Sequence, residues 1–196
     1  MVGVFSILVL QKNEVGMRTA LTLANKLTPN AIGIEVGTGM GDNAIDILTN
    51  WNGTLSLYLI DNFYMNYGVN SSESTAEHKE ICIERMKKYP NATLIIKSST
   101  EAVQEFQDNS LDFVYIDADH RMASVINDCQ LWYPKVKIGG LLCGHDYNLA
   151  EPPVMSAVLQ FAVNNKLMLK YDFTSLNYMG IISDWWIIKG GGNENH

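Results

Sequence analysis

Short apolar runs of strand length alternate along the chain with longer segments whose apolar residues recur at helical spacing. This alternation is typical of a mostly parallel β-sheet that is covered by helices on both faces. The apolar runs predict strands over 31–36, 55–61, 93–97, 111–117 and 141–145. Helical spacing predicts helices over 14–27, 42–49, 74–89, 100–106, 122–133 and 154–165.

Two further apolar runs, 167–174 and 181–189, lie close enough in sequence to pair as a hairpin at the sheet edge. Together these elements predict an α/β fold of the doubly wound, Rossmann-like type. Its seven-stranded sheet is expected to be mostly parallel, with an antiparallel C-terminal strand.

Length and composition favour one domain, since 196 residues with 47% hydrophobic and 18% charged positions suit a single compact core. We expect this domain to span 1–196, with 1–30 as an N-terminal extension and 190–196 as a disordered tail. The apolar run at 2–10 is too short to cross a bilayer and has no basic leader. The three widely spaced cysteines form no Cys-x-x-Cys pair, which favours a reducing compartment and hence a cytoplasmic location.

The charge balance disfavours two classes of partner. A net charge of -7 and a pI near 5.0 give no overall attraction for nucleic acid or for an anionic membrane. We therefore expect a small-molecule substrate, with neutral sugars among the candidates. The predicted helix over 14–27 is interpreted either as a cover for the ligand-binding end of the sheet or as a contact for a homodimer.

A glycine-rich turn joins the first predicted strand to a helix in the segment 35–41, Glu-Val-Gly-Thr-Gly-Met-Gly. Glycine in such a turn permits positive φ and a close backbone approach to a ligand. A dinucleotide fingerprint would place its third glycine one residue later, where this chain has Asp42. The candidate cofactor contacts in this turn are Glu35, Gly37, Thr38, Gly39 and Gly41.

The next two strand ends offer further polar residues, since open parallel sheets bind ligands outside the carboxyl ends of their strands. Asp61, followed by Asn62, could accept hydrogen bonds from the vicinal hydroxyls of a ribose, or could cap the following turn. Ser99 and Thr100 lie where an adenine ring would be met, or where they would simply cap a helix.

The last two strand ends bring carboxylates and imidazoles together. Asp117, Asp119 and His120 follow one strand, and His145 and Asp146 follow the next. Such a cluster could hold a divalent metal, with Mg²⁺ preferring carboxylates and a histidine also suiting Mn²⁺, Zn²⁺ or Fe²⁺. A metal would lower the pKa of an acceptor hydroxyl and orient it, and Asp119 or His120 could take its proton. The alternative is that His145 and Asp146 bond each other or the backbone and merely end a strand.

The span 35–189 resembles the class I S-adenosylmethionine-dependent methyltransferases, through the glycine turn with its preceding acid and the acidic residue that ends the second strand. The segments 117–120, 139–140 and 145–147 resemble the metal-dependent O-methyltransferases that act on sugar groups of antibiotics. The resemblance implies one methyltransferase domain with S-adenosylmethionine as cofactor, which Asp117 also contacts. It further implies Asp117, His145 and Asp146 as ligands of a metal such as Mg²⁺, and Asp119 as the general base.

His145 departs from this pattern, because the sugar-modifying relatives have a second acidic residue at its position. The departure weakens the case for Mg²⁺ and leaves a site without metal open. Two other functions compete with methyl transfer. One is an NAD(P)-dependent oxidoreductase, which would use Asp61 in the same way, and the other is a non-catalytic nucleotide-binding protein.

Overall fold

The computed structural model describes residues 17–64, 72–172, 175–177 and 180–190. Within these ranges the helices are α1 Thr19–Leu27, α2 Asp42–Asn50, α3 Ser72–Met86, α4 Ser99–Ala102, α5 Met122–Trp132 and α6 Pro152–Asn164. None of the described helices is long and apolar enough to cross a membrane. The predicted tail beyond Gly190 and residues 1–16 of the predicted extension lie outside the described residues.

The strands are β1 Ala31–Val36, β2 Leu55–Ile60, β3 Ala92–Ile95, β4 Leu111–Ile116, β5 Val136–Gly144, β6 Leu169–Tyr171, β7 Ser175–Asn177, β8 Gly180–Ile182 and β9 Trp185–Ile188. Seven of these described strands form one sheet in the order β3-β2-β1-β4-β5-β9-β6. Strands β1 to β5 pair in parallel, whereas β9 runs antiparallel to both β5 and β6. The predicted doubly wound, mostly parallel sheet with an antiparallel C-terminal strand is confirmed.

The sheet is buried on both faces, which explains why its central strands are almost continuously apolar. All six residues of β4 are buried. Helices α1, α2 and α3 cover one face, where Leu21, Ile47 and Phe113 belong to one apolar cluster. Helices α5 and α6 cover the other face, where Trp132 and Phe161 pack in a second cluster. The three cysteines are buried and free.

Strand β5 begins at Val136, five residues before the predicted start at residue 141. The predicted strand did not include Gly139 and Gly140, but both lie inside β5. The pairing with β4 shifts register here, and Gly139 takes the left-handed φ of +83° that the irregularity requires. The glycines therefore mark a bulge and not the end of an element.

The predicted C-terminal hairpin is confirmed as an antiparallel pair, β6 with β9. The connection differs from the prediction, since the run 181–189 is divided between β8 and β9, and β8 pairs with β7 in a separate small sheet. The division falls at Ser183 and Asp184, two buried polar residues whose side chains bond outside the sheet ladder. Their hydrogen-bonding needs compete with a continuous strand.

Candidate active site

The predicted site residues lie at the point where the sheet order reverses. The neighbours β1 and β4 send their connections to opposite sides, which opens a crevice at their carboxyl ends. Backbone bonds join the strand ends there: Gly37 N–H donates to the Ile60 carbonyl at 2.8 Å, and Asp117 N–H donates to the Val36 carbonyl at 2.8 Å. The glycine turn and the acidic segment after β4 therefore lie side by side.

Glu35 is a buried carboxylate at the end of β1, only 1% exposed. The Thr38 hydroxyl donates to its Oε2 at 2.6 Å, and the Asn43 amide donates to its Oε1 at 2.7 Å. Burial raises the pKa of Glu35 to about 7, against the opposing effect of these two hydrogen bonds. The side chain is thus held in one orientation, and a nearby cation would lower its pKa.

Gly37 has a φ of +86°, and a Cβ there would lie 2.1 Å from the Asp117 carbonyl oxygen. Both facts require glycine. Gly39 has a φ of +51° and open space where a side chain would be, and Gly41, with a φ of +85°, is the N-cap of α2. The turn exposes its backbone at Gly39 and packs it tightly at Gly37.

Asp61 binds the backbone of the glycine turn from the end of β2. Its Oδ2 accepts the backbone N–H groups of Thr38 at 3.0 Å and Gly39 at 2.9 Å, and its Oδ1 accepts the Phe63 N–H at 2.7 Å. Asn62 makes a similar local turn by accepting the Tyr64 N–H at 3.0 Å. Asp61 therefore caps its own turn and orders the glycine turn, while a carboxylate keeps lone-pair capacity for a further donor.

Ser99 and Thr100 lie in the first turn of α4, and the helix cap is Ser98, in a reciprocal capping box with Glu101. The Ser99 hydroxyl instead faces α5, where it donates to Asp128 at 2.5 Å and accepts from the Trp132 indole at 2.8 Å. Thr100 is exposed. The helix is therefore capped by Ser98, and not by Ser99 or Thr100 as the alternative predicted. Adenine contact by Ser99 or Thr100 stays a prediction.

Three ligand atoms from Asp117, His120 and Asp146 lie within 4.8 Å of one another. His120 Nε2 is 3.2 Å from Asp146 Oδ2 and 3.8 Å from Asp117 Oδ1, and its Nδ1 is 3.6 Å from Glu151. The facing carboxylate of Asp117, with those of Asp146 and Glu151, raises the pKa of His120 to about 9. Burial acts to raise the pKa of Asp117, but His120 and Arg18 outweigh it and lower that pKa to about 2.

His145 and Asp119, two other predicted site residues, have different surroundings. His145 Nδ1 lies 3.1 Å from Asp146 Oδ1, and its buried Nε2 has no hydrogen-bond partner among the described residues. Among the described residues, the three converging ligand atoms include one from His120, whereas the prediction named His145. The Asp119 carboxylate accepts from Arg121 and from the Ser124 hydroxyl, and its bonds with Arg121 lower its pKa to about 2.

A family profile described as a methyltransferase domain matches residues 34–147, more than half of the chain. The chain belongs to this methyltransferase family. The match begins in β1 and ends after the His145–Asp146 pair, so it covers the whole row of strand ends described above. The predicted class I methyltransferase is confirmed. A search of curated protein sequences finds no match to the methyltransferase.

Solved structures with the same fold include several methyltransferases. An rRNA methylase from Streptococcus thermophilus has a TM-score of 0.66 at 8% identity, with 92% of this chain and 100% of that chain covered. The O-methyltransferase TomG from Streptomyces achromogenes, in complex with SAM, has a TM-score of 0.65 at 11% identity, with coverages of 87% and 79%. An O-methyltransferase from Bacillus cereus in complex with SAH has a TM-score of 0.62 at 13% identity, with coverages of 92% and 84%.

Sequence reasoning missed a partly buried chain of hydrogen-bonded polar residues next to the acidic cluster. Arg18 Nη1 donates to the Tyr115 hydroxyl at 2.8 Å and to Asp117 Oδ2 at 2.7 Å. The Tyr115 hydroxyl in turn donates to Asp184 Oδ1 at 2.8 Å. A tyrosine inside an apolar strand and an arginine in an extension look ordinary, because the contacts span 97 and 99 residues of sequence. The clearest signal was Asp184, a carboxylate inside the apolar run 181–189 of the methyltransferase.

Proposed function

We propose that the methyltransferase binds S-adenosylmethionine across the ends of β1 and β2 and transfers its methyl group to a hydroxyl of a small molecule. One observation carries the cofactor assignment: Thr38 connects the two acids of the turn. Its hydroxyl donates to Glu35 and its backbone N–H donates to Asp61. The two carboxylates are thereby fixed on either side of a backbone segment that is open at Gly39.

The two acids suit different parts of the cofactor. The methionine ammonium is a cation that Glu35 can stabilise, since a buried carboxylate with a raised pKa gains most from a positive partner. The ribose hydroxyls can donate to the remaining lone pairs of Asp61. Ser99 and Thr100 stay candidates for the adenine side.

The residues Asp117, His120 and Asp146 fit a divalent cation by donor type, with two carboxylates and one imidazole converging. When bound, Mg²⁺ or Mn²⁺ would supply the positive charge that lowers the pKa of an acceptor hydroxyl and orients it. His145 stays a predicted ligand, since its Nε2 has no hydrogen-bond partner among the described residues and His145 lines a small cavity together with Asp117 and His120. The choice between these histidines is testable by substitution.

A small-molecule acceptor is supported by the charge of the chain, and not by the size of the small cavity next to the cluster. The lining of this cavity combines the apolar side chains of Val125, Val154 and Trp185 with Asp117 and the two histidines. The net charge of -7 disfavours a nucleic acid acceptor, and TomG and the Bacillus enzyme are O-methyltransferases. Sugars stay among the candidate acceptors, and a cytoplasmic location and a homodimer stay predictions.

The proton of the acceptor hydroxyl needs a receiving group, and Asp119 and His120 are the predicted ones. The Asp119 carboxylate is already engaged by Arg121 and Ser124, and its low pKa makes it a weak base. His120 lies among three carboxylates that favour its protonated form. Of the two, His120 faces the cluster. A cation bound there would lower the pKa of His120 and so favour the neutral form that can accept a proton.

Calorimetry with S-adenosylmethionine, S-adenosylhomocysteine and NADH tests the cofactor assignment. We expect the two sulfur ligands to bind and NADH not to bind. Asp61→Ala should abolish that binding, whereas Asp108→Ala, an exposed acid that pairs with Lys135, should leave it unchanged. Binding of NADH alone would favour the oxidoreductase, and no binding of any ligand by the folded wild type would favour the non-catalytic protein.

Manganese titration followed by electron paramagnetic resonance tests the metal assignment. We expect wild type to bind Mn²⁺ and both Asp146→Asn and Asp117→Asn to lose binding. His120→Gln and His145→Gln, made in parallel, identify the histidine that contributes. The full signal of free Mn²⁺ in the presence of both wild type and Asp117→Asn would exclude this metal site, while the cofactor assignment would be unaffected.

A further inference from the structure

Arg18 is held by two hydrogen bonds at the carboxyl end of β4. One nitrogen, Nη1, donates to both the Tyr115 hydroxyl and Asp117 Oδ2, and the guanidinium lies 5.5 Å from the centre of the Tyr115 ring. Tyr115 is fully buried. Its own partner Asp184 also accepts the Ala20 N–H at 2.9 Å, in the first turn of α1. The arginine and the start of the helix that follows it are thus fixed to β4 and to the residue before β9.

The remaining donors of Arg18 are available to a ligand. Nε and Nη2 make no hydrogen bond to any described residue, and neither is a buried unpaired atom. The side chain is 29% exposed. Arg18 binds the side chain of Asp117, which follows β4 beside the glycine turn, and its charge also lowers the pKa of Glu35 before that turn. The guanidinium therefore lies near the glycine turn. A guanidinium with one nitrogen anchored and two other nitrogens open has the geometry of an anion site.

The charges beside the glycine turn explain why a cation is needed there to bind an anionic group. Glu35 and Asp117 are acids, and Arg18 is the permanent cation whose charge acts on both. The amino-acid end of S-adenosylmethionine carries a carboxylate as well as an ammonium. Acidic side chains alone would repel that carboxylate, whereas planar guanidinium donors match it in charge and shape.

We propose that Arg18 binds the carboxylate of the methionine portion of the cofactor through its open guanidinium donors, while Glu35 faces the ammonium. The inference rests on the proposed function and adds an arginine from the N-terminal extension to the cofactor site. Tyr115 and Asp184 are positioning residues, because they reach the ligand only through Arg18. Residues before β1 then contribute directly to cofactor binding.

Two ligands isolate this contact. Calorimetry compares S-adenosylhomocysteine with its decarboxylated form, which keeps the adenosine, the sulfur and the ammonium and lacks only the carboxylate. The proteins are wild type, Arg18→Met, Arg18→Lys and the matched charge control Lys26→Met, in the last turn of α1. Loss of a charge-assisted pair should weaken S-adenosylhomocysteine binding by about 10- to 100-fold in Arg18→Met. The decarboxylated ligand should bind Arg18→Met as well as it binds wild type.

Arg18→Lys, which keeps a cation able to reach Asp117, should recover part of the preference for the carboxylate, and Lys26→Met should match wild type. Equal weakening of both ligands in Arg18→Met would mean a structural role and would overturn the proposal. Unchanged binding of S-adenosylhomocysteine by Arg18→Met would overturn it as well. If wild type bound neither ligand, the proposed cofactor itself would be wrong, a result distinct from failure of the arginine alone.

Discussion

The hydroxyl of Thr38 lies 2.6 Å from the Oε2 of Glu35, a buried carboxylate whose other oxygen is bonded to Asn43. The same threonine donates its backbone N–H to Asp61, so one residue connects the acids that end β1 and β2. A buried carboxylate is stable only when its lone pairs are satisfied. The glycine turn therefore owes its shape to hydrogen bonds with two acids as much as to its glycines.

Replacing Thr38 by valine should separate the hydrogen bond to Glu35 from the hydrogen bond to Asp61. Valine keeps the volume and the backbone N–H but removes the hydroxyl from Glu35, which leaves a buried oxygen without a donor. We expect the affinity for S-adenosylhomocysteine to fall by about 5- to 150-fold, since an unsatisfied buried acceptor costs about 1–3 kcal/mol. Calorimetry measures the change, and Thr38→Ser, which keeps the hydroxyl, is the matched control. Equal affinities for the valine and serine variants would contradict the role of this hydrogen bond.

Cofactor binding should depend on pH through Glu35. Burial raises the pKa of this carboxyl from its usual 4.5 to about 7, so it is largely protonated at pH 6 and largely ionised at pH 8. A ligand ammonium favours the ionised form, and affinity should therefore be about tenfold higher at pH 8 than at pH 6. Calorimetry in buffers of different ionisation enthalpy should also show proton release on binding below pH 7. Glu35→Gln should bind more weakly and lose this pH dependence, and an unchanged profile would assign it to another group.

Gly37 and Gly139 form a natural comparison. Both have left-handed φ values, +86° and +83°, but a Cβ would meet the Asp117 carbonyl at Gly37 and open space at Gly139. Gly139→Ala should lower stability by about 1 kcal/mol, through backbone strain alone, and should keep cofactor affinity. Gly37→Ala should lower stability further and abolish binding of S-adenosylhomocysteine. Urea unfolding with calorimetry checks both, and normal binding by Gly37→Ala would show that the turn tolerates displacement.

The order of elements and the ends of the strands could be predicted because they depend on local patterns. Strand β1 follows its apolar run, and Glu35 and the glycine turn lie where the run ends. Strand β5 was predicted too short, because glycine in sequence does not distinguish a bulge from a break, and only the pairing with β4 makes that distinction.

The partners of individual side chains could not be predicted, because they depend on contacts between distant segments. His120, predicted as a proton acceptor, joins Asp146 from the next strand end. Asp119, two residues after Asp117, turns instead to Arg121 at the start of α5. The sequence placed all of these residues at one edge of the sheet, but rotamers and competing partners decide which of them meet.

Stability should respond to pH through Asp128, a buried acid on α5 that lies outside the glycine turn. Burial is the main cause that raises the pKa of Asp128 to about 6 from its usual 3.8, against the hydrogen bond from Ser99. A raised carboxyl pKa means that the folded state binds the proton more tightly, so Asp128 destabilises the fold above pH 6. This cost disappears as pH falls from 6 towards 3.8.

Asp128→Asn removes that charge and keeps an oxygen for Ser99. We expect the variant to be more stable than wild type by about 1–3 kcal/mol at pH 7.5, and the difference to vanish near pH 4. Asp108→Asn is the control of opposite sign, because the Asp108 pKa is lowered by its hydrogen bond with Lys135 and its contribution should be lost as pH falls. Urea unfolding from about pH 2.5 to 7.5 gives both differences, since the Asp128 effect changes between pH 4 and 6 and the Asp108 effect changes below pH 4. A variant Asp128→Asn less stable than wild type at pH 7.5 would mean that the charged carboxylate is itself stabilised by its hydrogen bond.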